Sequence, residues 1–108
     1  MPFAVLLTDD ATRDLEALFD YLHSNDAPAR AQHVLDRIEM ALSSLSENPQ
    51  RGTHPRELQS LGLREYREIF FKPYRIIYRV VDQRVYVMVI VDGRRDMQSL
   101  LQRRLLQP

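Results

Sequence analysis

The residues best suited to chemistry lie in one tract, Tyr74-Arg75-Ile76-Ile77-Tyr78-Arg79-Val80-Val81. Read as a strand, it turns Tyr74, Ile76, Tyr78 and Val80 to one face and Arg75, Ile77, Arg79 and Val81 to the other. Two guanidinium groups then share a face about 13 Å apart. Arg64, Glu65, Tyr66, Arg67 and Glu68 precede the tract, Lys72 sits just before it, and Arg94 and Arg95 follow the next apolar run. If the three strands are neighbours, all of these residues, Arg64 and Arg67 as well as Lys72, Arg75, Arg79, Arg94 and Arg95, are placed to gather into one positive concavity. Such a surface attracts phosphate backbones or an acidic protein segment. Arg64, Glu65, Arg67 and Glu68 fit equally well as cross-strand ion pairs with no further role, whereas Arg75 and Arg79, on a strand otherwise fit for burial, point to function or to a buried structural pair rather than to idle exposure.

Metal-free RNA cleavage needs a base for the 2′-hydroxyl, cations for the phosphate and an acid for the leaving group. The cations are present. His54 lies in an irregular stretch, and His23 and His33 fall in helical segments where they read as surface residues. Tyr66, Tyr74, Tyr78 and Tyr86 have hydroxyls able to move protons, but tyrosines on strands more often pack. Asp92 is the acid placed nearest the cations at a strand end. There is no cysteine, hence no disulfide framework and no thiolate site, and the three histidines are too scattered for zinc. Neither a metal nor a cofactor is expected.

The elements that must position these residues follow from periodicity. Phe3 to Leu7 reads as a short strand. Thr8 is placed to cap a helix whose face carries Ala11, Leu15, Leu18, Phe19 and Leu22 and which stops at His23-Ser24-Asn25. Asp26 and Pro28 open a second helix, with Ala31, Val34, Leu35, Ile38, Ala41, Leu42 and Leu45 on its buried stripe, ending near Pro49. So short a connection predicts an antiparallel hairpin. Residues 49–62, with Pro49, Gly52, Pro55 and Gly62, read as an irregular linker, of a length that suggests function or mobility. Strands are expected over 63–71, 74–81 and 84–91, separated by Lys72-Pro73 and Asp82-Gln83, and Asp96 caps a last helix bearing Met97, Leu100, Leu101 and Leu105. The expectation is a single α+β domain over 1–108, order β-α-α-β-β-β-α, with the helical hairpin packed on one face of a small antiparallel sheet.

Charge divides the chain. Residues 1–48 hold nine acids against three bases, and residues 49–108 hold twelve bases against six acids, so a net charge of zero conceals −6 and +6. Fourteen of the fifteen bases are arginine, whose planar fork suits carboxylates and phosphates, although coding bias also produces such usage. No apolar run approaches the roughly 18 residues that cross a bilayer. The opening Met-Pro-Phe-Ala-Val-Leu-Leu lacks a basic flank and runs at once into Asp9 and Asp10, which is a poor signal peptide. A cytoplasmic location and no membrane contact are expected.

Arg64-Glu65-Tyr66-Arg67-Glu68, Lys72 to Val80, and Val85 to Asp96 together resemble the RelE/ParE superfamily of type II toxin–antitoxin toxins. Ala11-x-x-Asp14-Leu15, Tyr21 and Leu45-x-x-x-Pro49-x-Arg51-Gly52 agree with it, so the resemblance covers nearly the whole chain. It implies a bacterial growth inhibitor of the plasmid-stabilisation kind, held in a hetero-oligomeric complex by a cognate antitoxin encoded beside it. An antitoxin segment would wrap over the sheet and the hairpin. RelE-like members cut mRNA on the ribosome with a basic cluster and a C-terminal tyrosine or histidine; ParE-like members poison DNA gyrase and lack that set. For a nuclease the matching residues are Arg64, Lys72, Arg75 and Arg79; for target or antitoxin binding they are Arg67, Arg75, Arg79, Arg94 and Arg95. The last strand ends in Asp92-Gly93-Arg94-Arg95, where the nucleases often hold histidine or tyrosine, and the hairpin arms are long. Both features place the chain nearer ParE, a gyrase-binding toxin rather than an enzyme. A metal-independent endoribonuclease and an inactive homologue that only binds an antitoxin are the alternatives.

Overall fold

A computed structural model describes residues 2–25 and 28–107. The expected cap at Asp26 lies outside the described residues. The elements run β1 (Ala4–Leu7), α1 (Asp9–Asn25), α2 (Pro28–Glu47), α3 (Arg56–Gln59), β2 (Tyr66–Phe71), β3 (Tyr74–Val81), β4 (Arg84–Asp92) and α4 (Met97–Leu101), which continues as a π-helical turn over Gln102–Leu106. The sheet order is β1-β4-β3-β2. The three-strand meander is antiparallel, as expected, and β1 adds a parallel edge against β4, pairing Ala4 with Arg84 through Leu7 with Val87.

Local chemistry accounts for the boundaries. The Thr8 hydroxyl accepts the Ala11 N–H at 3.1 Å, and Asp9 and Asp10 stand in the first turn against the helix dipole. Asp82 turns the β3–β4 hairpin at a φ of 55°, which aspartate tolerates better than most residues. The Asp96 carboxylate accepts the Ser99 N–H at 3.2 Å and starts α4.

The sheet is buried on both faces. Toward the α1–α2 hairpin lie Ile69, Tyr74, Ile76, Tyr78, Val85, Val87 and Ile90, packed on Ala11, Leu22, Ala31, Val34, Ile38, Leu42 and Leu45. Toward the other side lie Tyr66, Ile77, Val89 and Val91, covered by Leu58 of α3 and by Met97, Leu100 and Leu101 of α4. The near-continuous apolar content of β3 and β4 reflects this double coverage.

Residues 49–62 depart from the expected loose linker. The buried Tyr78 hydroxyl donates to the Pro49 carbonyl at 2.8 Å and accepts the Gly52 N–H at 3.0 Å. Thr53 and Glu68 exchange two main-chain bonds at 3.1 and 2.7 Å, and α3 buries Leu58. Composition marks this segment as irregular because its anchors are side chains distant in sequence. β2 starts at Tyr66 rather than Leu63, because the Leu63 N–H closes the α3 turn by donating to the Leu58 carbonyl.

Candidate functional site

The β3 alternation holds, with Tyr74, Ile76 and Tyr78 toward the hairpin and Arg75, Ile77 and Arg79 toward α3 and α4. The single positive concavity does not form. Arg75 is half-buried and bonded to two carboxylates. Its Nε and Nη2 reach one Glu68 oxygen at 3.0 and 2.6 Å, and Nη1 and Nη2 grip both Glu57 oxygens at 2.9 and 2.8 Å. The side chains of Arg75, Glu57 and Glu68 are only 13 %, 19 % and 7 % exposed. Hydrogen bonding to Glu57 above all, and then to Glu68, raises the Arg75 pKa. The Arg75 bonds hold Glu57 below the usual glutamate range, whereas deeper burial pushes Glu68 above it. The three groups together carry a net negative charge, which is the opposite of a free phosphate-binding cation.

The other candidates part company. Arg79 stacks over the Tyr66 ring, its Cζ 5.7 Å from the centroid, and its buried Nε has no hydrogen-bond partner among the described residues. Arg67 points the opposite way, toward the hairpin, and donates to the Gly52 and Gln50 carbonyls at 2.8 and 3.3 Å, tying down the ordered segment. Arg64 is exposed ahead of β2. Lys72, Arg94 and Arg95 do meet. They rim a groove of about 860 Å³ between α1, the β2–β3 turn and the end of β4, floored by Leu18, Leu22 and Pro73. Arg94 is bound to Asp92, whose carboxyl is held low by that contact.

One contact set at the groove is not legible in the charge pattern. Asp14 of α1 accepts the Ile90 N–H at 3.0 Å and is gripped by Arg104 at 3.0 and 2.9 Å, while Arg104 also donates to the Met88 carbonyl at 2.9 Å. These two side chains stand in for the strand neighbour that β4 loses after Leu7. The signal in the sequence is a carboxylate set between Ala11 and Leu15 on an otherwise apolar stripe. Nothing in the sequence near Glu57, Glu68 or Arg104 shows which partner each takes.

His54 Nδ1 lies 3.1 Å from the Tyr66 carbonyl oxygen and Tyr78 is spent on the 49–52 segment, so neither stands free beside Arg75 or Arg79 for proton transfer. Among the described residues no cluster of histidine, aspartate and glutamate is arranged to hold a metal, and no helix is long and apolar enough to cross a membrane.

The model of the family described as ParE toxin of type II toxin-antitoxin system, parDE, matches residues 5–97. The chain is 30 % identical over 97 residues to Toxin ParE3 of Caulobacter vibrioides, covering 90 % of this chain and 93 % of that one. It is 36 % identical over 86 residues to Toxin RelE2 of the same organism, covering 80 % and 90 %. The solved chromosomal ParDE system from P. aeruginosa superposes with a TM-score of 0.69 at 17 % identity, covering 83 % of this chain and 95 % of that one, which is a likeness of fold.

Proposed function

The chain belongs to the ParE toxin family of type II toxin–antitoxin systems, and from that premise we propose that it arrests bacterial growth by poisoning DNA gyrase in the cytoplasm and is neutralised by a cognate antitoxin. The observation that carries the choice of target is the state of Arg75. A ribosome-dependent nuclease needs strand cations free to meet the scissile phosphate and an acid or base beside them. Here the best-placed strand cation is committed to Glu57 and Glu68, and Arg67 and Arg79 are turned to opposite faces. This supports a toxin that acts by binding. The similarity to a relative named RelE2 keeps mRNA cleavage as the outcome to test against.

Two assays decide it. Purified chain added to purified gyrase is expected to inhibit supercoiling and to leave ribosome-bound mRNA intact. Codon-specific cuts with unaffected supercoiling would overturn the choice of target. Expression of the chain alone from a tight promoter is expected to arrest growth with filamentation. Normal growth at confirmed protein levels would overturn the toxin reading itself.

A further inference from the structure

We infer that a second pocket, between α2 and the end of β2, binds the phosphate of a mononucleotide. The inference does not depend on the choice of toxin target. The pocket shares no lining residue with the groove rimmed by Lys72, Arg94 and Arg95, and it lies at the β2 edge of the sheet.

Helical spacing builds one wall. Arg37, Met40, Ala41 and Ser44 stand at i, i+3, i+4 and i+7, so they share one stripe of α2. Phe70 and Phe71 form the opposite wall, and Arg51 folds back from the segment after the helix. Both arginines are held by neutral partners. The Arg37 Cζ lies 5.5 Å from the centroid of the Phe71 ring, and Arg51 Nη1 donates to the Ser44 hydroxyl at 3.1 Å. A ring and a hydroxyl orient a guanidinium without cancelling its charge. Among the described residues neither arginine makes an ion pair, and no carboxylate lines the pocket. Arg75, Arg94 and Arg104, by contrast, are each matched by a carboxylate of the chain.

The donor set selects the ligand. One guanidinium fork already satisfies a carboxylate, so two forks at one pocket leave donors over. A phosphate monoester brings three terminal oxygens and up to two negative charges. A main-chain donor stands at the same edge: Glu68 exchanges both of its bonds with Thr53, so the alternation of the antiparallel ladder turns the Phe70 N–H outward as well. The flanks of the pocket are apolar, with Phe70 49 % and Met40 62 % exposed. Nucleobases stack on aromatic faces of this kind. At about 230 Å³ the pocket falls below the roughly 300 Å³ at which sites for drug-sized ligands begin. It therefore takes the phosphate and the adjoining sugar, and the base lies outside against Phe70. Arg51 also suits the negative end of α2, but that role involves neither Arg37 nor Phe70.

The probes are adenosine 5′-monophosphate, inorganic phosphate and adenosine, titrated separately into the purified full-length chain, with affinity and the affected amides read by NMR. Adenosine monophosphate is expected to shift the Ser44, Arg51 and Phe70 amides and to bind at least five-fold more tightly than inorganic phosphate. Adenosine alone should give no saturable shift. Arg37→Gln/Arg51→Gln is expected to weaken nucleotide binding at least ten-fold, with thermal melts confirming that the variant is folded; Arg51→Gln alone should weaken it in the same direction. Phe70→Leu should bring the nucleotide down to the affinity of phosphate and leave phosphate within about two-fold. Lys72→Gln/Arg95→Gln, a matched loss of charge at the other groove, should leave both affinities within about two-fold. No saturation at millimolar nucleotide, unchanged affinity in Arg37→Gln/Arg51→Gln, or shifts centred on Lys72 and Arg95 would overturn the site. Equal affinity for phosphate and nucleotide, or far tighter binding of a short DNA strand through the same arginines, would overturn the mononucleotide as its ligand. Each of these failures leaves the toxin reading standing, since that reading is decided by growth and supercoiling.

Discussion

At the scale of single residues, two positions decide more than their exposure suggests. A β-carbon built on Gly52 would stand 2.6 Å from both the Glu68 carbonyl oxygen and the Tyr78 hydroxyl. Backbone on one side and a buried ring on the other leave little room to relax, so Gly52→Ala is expected to cost about 2 kcal/mol in urea unfolding. Tyr78→Phe strands the Pro49 carbonyl and the Gly52 N–H and should cost a similar amount, about 2 kcal/mol. The Glu57–Arg75–Glu68 group has its own pH signature. Glu68, raised by burial, binds its proton more tightly folded than unfolded, so it favours the folded state below its ordinary value near 4.5 and loses that contribution as pH rises through the folded value. Glu57, lowered by Arg75, contributes above 4.5 and loses its contribution as pH falls through its lowered value. Wild type is therefore expected to lose stability relative to Glu68→Gln as pH is raised from about 4.5 toward neutrality, read from denaturant melts at several pH values. A parallel pH dependence in the two proteins would show that Glu68 is not displaced upward.

At the scale of elements, the Asp14–Arg104 pair locks three of them: α1, the free end of β4 and the C-terminal turn. The side chains are 15 % and 20 % exposed, so solvent screens the pair only partly. Arg104→Met is expected to cost about 2 kcal/mol while the Ile90 amide stays protected, because Asp14 still accepts it. Asp14→Ala should cost at least as much and also expose the Ile90 amide to exchange. A double-mutant cycle gives the coupling between them. The α1–α2 hairpin, both strand turns and the capped last helix are legible in the sequence, since each is set by local periodicity and a nearby cap. The short α3 and the parallel partner of β1 are not. The first is held by Leu58 burial and the second by pairing with residues eighty positions away.

At the scale of the whole molecule, one thin sheet divides two apolar layers, and α4 is the main cover of the second. Ending the chain after Asp96 would uncover Ile77, Val89 and Val91 and remove Arg104 from Asp14. The truncated protein is expected to bind a hydrophobic dye and to lose its cooperative thermal transition while keeping most of its helical signal. An unchanged melt would show that the hairpin-side core suffices. The division of charge between the halves persists, but two of the arginines of the second half, Arg75 on the sheet and Arg104 on the C-terminal turn, are committed to carboxylates of the chain itself.

The sequence by itself determined the fold class, the order of every element but α3, the face on which each β3 side chain lies and the family, because these follow from periods of two and 3.6 residues, from caps and from motif spacing. It also brought Lys72, Arg94 and Arg95 to one end of the sheet, since each flanks a strand terminus. Only the tertiary structure decided between the two readings of Arg75, making it a half-buried ion-pair partner rather than an open cation. Charge state and exposure depend on which carboxylates arrive from elsewhere in the chain. Glu57 comes from a helix that periodicity does not reveal, and Glu68 sits opposite Ile77, two residue pairs from Phe70 and Arg75 and so on the same face.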